Sequence, residues 1–248
     1  MHDEVEQELC TLMDQLTSDA FALRPPRQDS VSGIIRTQIV CDTPTFELVI
    51  FIFPAGAAIP LHDHPTMAVF SKVLYGSLEM SSFDWEVAPT KEELTCAHAP
   101  TRSCQRNVLA LWCTDGAHAR HAGLSDESAR LESKSATAKR EEPLLAPRAA
   151  LHRISTVLTP ESPTFCLRPT FANIHSFVAR EATAVVDLLL PPYDENQGRD
   201  CHYFEQCEPL TSPASDSRHL LRVIGSPPQL TIRGQQYGGP RVYVPTGR

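Results

Sequence analysis

Two histidines one residue apart carry the most chemical information in this chain: Gly56-Ala-Ala-Ile-Pro-Leu-His62-Asp-His64, directly after an apolar run that ends near Phe53. A strand repeats every two residues, so on a strand both imidazoles would project to one side and Asp63 to the other. Two ring nitrogens so placed can bind one metal ion, although such a pair is as often incidental, and its surroundings must decide. Asp187 interrupts the apolar run Ala184-Val-Val-Asp-Leu-Leu-Leu190. A carboxylate buried there is costly unless paired or hydrogen-bonded, so it would accept from a substrate amine, from an imidazole of a metal site, or from a backbone turn that it caps. Cys201 and Tyr203 are two apart and would share a strand face, with His202 pointing away; a buried thiol beside a packed tyrosine is the plain alternative. His118 and His121 lie in a polar stretch, and His2, His98, His152 and His219 have no paired spacing, so all six read as surface or packing residues.

A set of short strands must position these groups. From Ile34 onward, β-branched and aromatic residues come in runs separated by Pro, Gly, Asn and Asp. The runs are Gln38–Cys41, Thr45–Phe53, Ala68–Leu74, Ser77–Phe83, Val108–Cys113, Phe177–Val178, Ala184–Leu190 and Leu230–Ile232, with Asp84-Trp85 closing one of them. This pattern predicts an all-β sandwich or barrel, and 21 prolines suit irregular connections between its strands. Val5, Leu9, Leu12, Met13 and Leu16 recur with helical period and predict an N-terminal amphipathic helix within 1–24 that packs on the main body, stopped by Pro25 and Pro26. A single domain over 25–248 follows. It is interrupted at 114–150 by a polar segment that reads as a disordered, solvated insertion, or as a docking element through its charges from Arg130 to Glu142.

Twenty-two Lys and Arg against 30 Asp and Glu give a formal charge of -8, which offers no basic field for nucleic acid or anionic lipid. No apolar run approaches the ~18 residues of a membrane span, so neither nucleic acid nor membrane is an expected partner. The acidic start (Asp3, Glu4, Glu6, Glu8) is unlike a secretory or transit signal, and the expectation is a cytoplasmic monomer with nuclear access. Eight dispersed cysteines without a Cys-x-x-Cys pair read as reduced thiols.

The spacing of Gly56, His62, His64 and Gly76 resembles the first motif of the cupin family, in which glycine, His-x-His, glutamate and a second glycine follow in order; that fold is a double-stranded β-helix barrel. Val69 stands at the glutamate's position and cannot bind a metal. The second cupin motif ends in histidine, and Pro169-Thr-Phe-Ala-Asn-Ile-His175 supplies one. Three imidazoles without a carboxylate would leave a ferrous site dicationic, with up to three positions open for a bidentate substrate and dioxygen. A thiolate would bring the missing charge.

A closer resemblance, to the cysteamine (2-aminoethanethiol) dioxygenase and plant cysteine oxidase family, rests on several strings. They are Ile59-Pro-Leu-His-Asp-His-Pro-Thr-Met67, Val69-Phe-Ser-Lys-Val-Leu-Tyr-Gly-Ser77, Ser82-Phe-Asp-Trp85, Asn173-Ile-His175, Pro191-Pro-Tyr193 and Gly198-Arg-Asp-Cys-His-Tyr-Phe204. The resemblance implies Fe(II) held by His62, His64 and His175, and conversion of a thiol and dioxygen to a sulfinate. The thiol would be cysteamine or the N-terminal cysteine of a peptide or protein, and the acidic balance of the chain favours a cationic peptide. It further implies that Asp187 and Tyr193 orient substrate or oxygen, Tyr193 being otherwise a turn-packing aromatic, and that Cys201 and Tyr203 lie at the site, where some thiol dioxygenases join such a pair by a thioether. The paired glycines usual before Asn-x-His are replaced by Phe171-Ala172. Two readings from other classes stand beside this one: a zinc-dependent cupin hydrolase or isomerase, and a non-catalytic cupin that only binds a partner.

Overall fold

Twelve strands form the body of the computed structural model, which describes residues 3–26, 33–87, 146–207 and 218–243. They are β1 (Ile35–Asp42), β2 (Glu47–Phe53), β3 (Ala58–His62), β4 (Ala68–Tyr75), β5 (Leu78–Trp85), β6 (Arg148–Leu158), β7 (Phe165–Leu167), β8 (Ile174–Ala179), β9 (Thr183–Leu190), β10 (Tyr203–Cys207), β11 (Arg218–Ile224) and β12 (Ile232–Gly234). One sheet runs β12-β1-β2-β9-β4-β7, and the second closes as β10-β11-β6-β5-β8-β3. Every pairing is antiparallel except β1 with β12. This is the all-β barrel of two facing sheets expected of a cupin.

Alternation along the strands decides what faces what. In β4, β9 and β2, Val73, Val185 and Phe53 meet Leu78, Met80 and Phe177 of the second sheet in one interior cluster. Farther along the same faces, Val69, Leu189 and Val49 form another. The opposite faces present Phe70, Leu74, Val186 and Ile50 to the N-terminal segment. β4 is therefore buried on both sides, which is why apolar residues alternate on neither face alone and only Ser71 and Lys72 interrupt them. Gly76 turns the chain from β4 into β5 at φ 85°, and a Cβ there would lie 2.4 Å from the Ala182 carbonyl oxygen. Only glycine fits.

The N-terminal helix, α1, spans Asp3–Met13 rather than most of 1–24, and a 3-10 turn at Ser18–Phe21 follows it. Two local interactions divide the segment. The Thr17 hydroxyl accepts from the Ala20 amide, and the Asp14 carboxylate accepts from both the amide and the hydroxyl of Thr164. The buried stripe is Leu9, Cys10, Met13 and Leu16, whereas Val5 and Leu12 are exposed. The insertion expected at 114–150 and the strand expected at Val108–Cys113 lie outside the described residues as far as 145. Its last three residues, Arg148–Ala150, already belong to β6, because Ala149 and Ala150 pair with β11 and Ala150 is fully buried. Among the described residues, no helix is long and apolar enough to cross a membrane.

Candidate metal and thiol site

His62 ends β3 and is the register partner of His175 on β8, so both side chains enter the barrel from adjacent strands. His64 lies just past the strand end, and two side chains carry it to the same place. Asn173 clamps its backbone, its Oδ1 accepting from the His64 amide at 2.9 Å and its Nδ2 donating to the His64 carbonyl at 3.0 Å. Asp63 projects the other way, where its carboxylate accepts from the amide of His202 at 2.8 Å and from its Nδ1 at 2.9 Å. The three rings converge, with centroids 4.3 Å apart for His62–His175 and 5.2 Å for the other two pairs. One candidate ligand atom from each lies within 4.8 Å of the others.

The second nitrogen of each ring is already committed. His62 Nδ1 donates to the Pro60 carbonyl at 2.9 Å and His175 Nδ1 to the Asn173 carbonyl at 3.1 Å. His64 Nδ1 lies 2.6 Å from the Tyr193 hydroxyl, which itself donates to the Asp63 carbonyl, so the imidazole must donate to the phenol. Each Nδ1–H is thereby fixed and each Nε2 keeps its lone pair for a metal. Burial holds all three imidazoles below their ordinary pKa, with neighbouring rings adding to the effect on His64 and His175, so all three are neutral ligands at pH 7.

Tyr193 thus stands behind His64, its hydroxyl turned to the ligand's far nitrogen rather than to an incoming molecule. Replacing it with Phe removes the acceptor that fixes the His64 ring and should weaken metal binding about 10- to 100-fold, while far-ultraviolet circular dichroism stays unchanged. Metal titration of the two proteins measures this. Cys201 and Tyr203 lie beside it: Tyr203 is paired with His62, its ring 6.2 Å away, and the Cys201 thiol interacts with both tyrosine hydroxyls. Burial pushes that thiol up to about 12.

Asp187 sits on the interior face of β9, between Val185 and Leu189, paired with Val49 on one side and Ser71 on the other. The Val185 cluster includes Phe177, whose ring is 4.9 Å from His175, and the Leu189 cluster packs on Tyr193. The carboxyl therefore faces the histidines from the opposite wall. It caps no turn, being in mid-strand, and all three imidazole Nδ1 atoms have other acceptors. Its Oδ1 has no hydrogen-bond partner among the described residues, and burial raises its pKa to about 7. Val69, at the usual cupin glutamate position, is buried in the same apolar cluster and offers no ligand.

The placement of five residues around the site escapes a reading of the sequence. Asn173 and the Asp63–His202 pair act through contacts more than a hundred residues apart. Ser82, the partner of His175 on β5, is fully buried with an unpartnered hydroxyl among the described residues. Glu47 heads an apolar strand, where an acid ordinarily meets solvent, yet it is only 4% exposed. Of the replaced glycines, Ala172 takes a left-handed φ of 55° and is fully buried, which explains why glycine is usual there.

The sequence pattern of the PCO_ADO family matches residues 1–242. Human 2-aminoethanethiol dioxygenase is 30% identical over 212 residues, which take in 82% of this chain and 67% of that protein. Plant cysteine oxidase 1 of Arabidopsis thaliana is 32% identical over 181 residues, 73% of this chain and 44% of that one, so the chain spans less than half of that relative's length. A crystallised cupin superfamily protein from Desulfitobacterium hafniense covers 69% of the chain at 8% identity and a TM-score of 0.34, too low to add to what strand order shows. Family match, relatives and the three-histidine centre agree: the chain belongs to the PCO_ADO family of thiol dioxygenases.

Proposed function

We propose that this thiol dioxygenase holds Fe(II) on His62, His64 and His175 and oxidises the thiol of an N-terminal cysteine, or of cysteamine, to a sulfinate. The reaction is RSH + O2 → RSO2⁻ + H⁺: two S–O bonds form, the O–O bond breaks, sulfur gives up four electrons to dioxygen, and the thiol proton leaves. The observation that carries this reading is the donor set. Three buried neutral imidazoles, with no carboxylate in the cluster, leave a divalent ion with its full charge, which favours an anionic ligand such as a thiolate. When bound, Fe(II) supplies the Lewis acidity that deprotonates a thiol of ordinary pKa near 8.5 and the electrons that activate dioxygen.

The chain's own residues perform the rest. Pro60, Asn173 and Tyr193 orient the three rings, so no ligand has to rotate as substrate enters. Val69, Leu189 and Val49 line the opposite wall and exclude water from the sulfur. Asp187, without an internal partner for its Oδ1, accepts the substrate's ammonium group. The test is mass spectrometry of a Cys-initiated peptide and of cysteamine after incubation with iron-loaded protein. A gain of two oxygen atoms, dependent on iron and absent with zinc, is expected. Equal activity with zinc, or no oxygen gain at full iron occupancy, would overturn the assignment.

A further inference from the structure

The barrel wall opposite the histidines holds more unpartnered polar atoms than one carboxylate accounts for. Glu47 opens β2 with its side chain on the same inward face as Val49. Because Glu47 pairs with Leu189 and Val49 with Asp187, the two acids are diagonal neighbours across β2 and β9, within reach of each other's side chains. Ser71 flanks Asp187 from β4. All three are more than nine-tenths buried; the Ser71 hydroxyl interacts with the Asp187 carboxyl, while Glu47 Oε1 and Asp187 Oδ1 have no hydrogen-bond partner among the described residues. No described cation answers the acids. Lys72, next along β4, points to the outer face, where its ammonium donates to the Pro160 and Ser162 carbonyls.

We propose that Glu47 is a specificity-determining residue that, with Asp187 and Ser71, holds a primary ammonium group of the thiol substrate. The inference rests on the thiol-oxidising reading above. Two carboxylates and a hydroxyl that keeps its lone pairs, on adjacent strands, offer acceptors for the three N–H donors of a primary ammonium, and the positive charge relieves repulsion between two carboxylates that would otherwise be buried together. A planar guanidinium, with five donors in a fixed fork, matches this set less well. The ammonium can be the amine beside the thiol or a lysine side chain next in a peptide, and the test separates the two.

The experiment compares iron-loaded wild type, Glu47→Gln and Glu47→Ser with cysteamine, with 2-mercaptoethanol, which carries a hydroxyl where cysteamine has its ammonium, and with Cys-Ala and Cys-Lys peptides. Losing one charged hydrogen bond should lower the preference for cysteamine over mercaptoethanol by about tenfold or more in both variants, through KM rather than kcat. A fall confined to the Cys-Lys over Cys-Ala preference supports the same cradle with lysine as the source. Preferences that stay within about twofold, or equal losses on every thiol, overturn it. If wild type oxidises none of these thiols, the dioxygenase reading fails separately. Anaerobic thermal shifts then judge the cradle: stabilisation by cysteamine beyond mercaptoethanol, lost in Glu47→Gln, upholds it, and equal shifts overturn it.

Discussion

His175→Ala is expected to lose its metal and, with it, thiol oxidation, by at least about a thousandfold, each 1.36 kcal/mol of lost transition-state stabilisation being a factor of ten. The ring is 1% exposed and packs between His62 and His64, with Phe177 closing its other side. Its Nδ1 is committed to the Asn173 carbonyl, so its one contribution to the cluster is the Nε2 lone pair. Two imidazoles remain, and among the described residues no fourth His, Cys, Asp or Glu joins the cluster to replace the third. His175→Gln keeps most of the volume and offers only an amide, and it should lose activity alongside Ala while unfolding at a temperature nearer wild type. Metal content after desalting and oxygen consumption decide the matter. A His175→Gln protein that keeps one metal per chain and turns over at the wild-type rate would remove the centre from the mechanism.

The part of this site legible in the sequence is the part carried by local pattern. His62 and His64 announce themselves by spacing, and the strands around them by alternation and by punctuation with Gly and Pro. Asp187 stands out because its run is apolar on both sides. Tyr193 is visible as a residue but not in its orientation: which way a phenol turns depends on the Asp63 carbonyl, 130 positions away. β6, β10 and β11 escape a reading by pattern. Their exposed, charged outer residues dilute the apolar signal, and their pairing closes one sheet through contacts that only the fold brings together. Glu47 is hidden for a simpler reason, since acids at strand ends usually meet water.

Glu47 and Asp187 also make stability depend on pH in an unusual direction. Burial, with repulsion from Asp42 and Asp187, raises Glu47 to about 8, and burial raises Asp187 to about 7, whereas both titrate near about 4 in an unfolded chain. Between these limits the folded protein keeps protons that the unfolded chain has released. The stability this contributes is fully present below about pH 4, declines as pH rises, and is gone once both groups ionise above their folded values. Each pH unit separating folded from unfolded titration is worth about 1.4 kcal/mol, so the Glu47 share lost by pH 9 is on the order of a few kcal/mol. Glu47→Gln keeps the shape of the protonated acid and cannot ionise. Its melting temperature should therefore match wild type at about pH 4 and exceed it by several degrees at about pH 9. Titrating groups away from Glu47, the three histidines among them, are common to both proteins and cancel in the difference, whereas Asp42 and Asp187, which repel Glu47, ionise more readily in the variant and add to its advantage at high pH. A constant difference across this range would mean that Glu47 binds protons alike in the folded and unfolded chain, and so is already ionised inside the barrel at an ordinary carboxylate pKa. Cysteamine added at pH 9 should narrow the gap, because its ammonium stabilises two ionised carboxylates in wild type and only one in the variant.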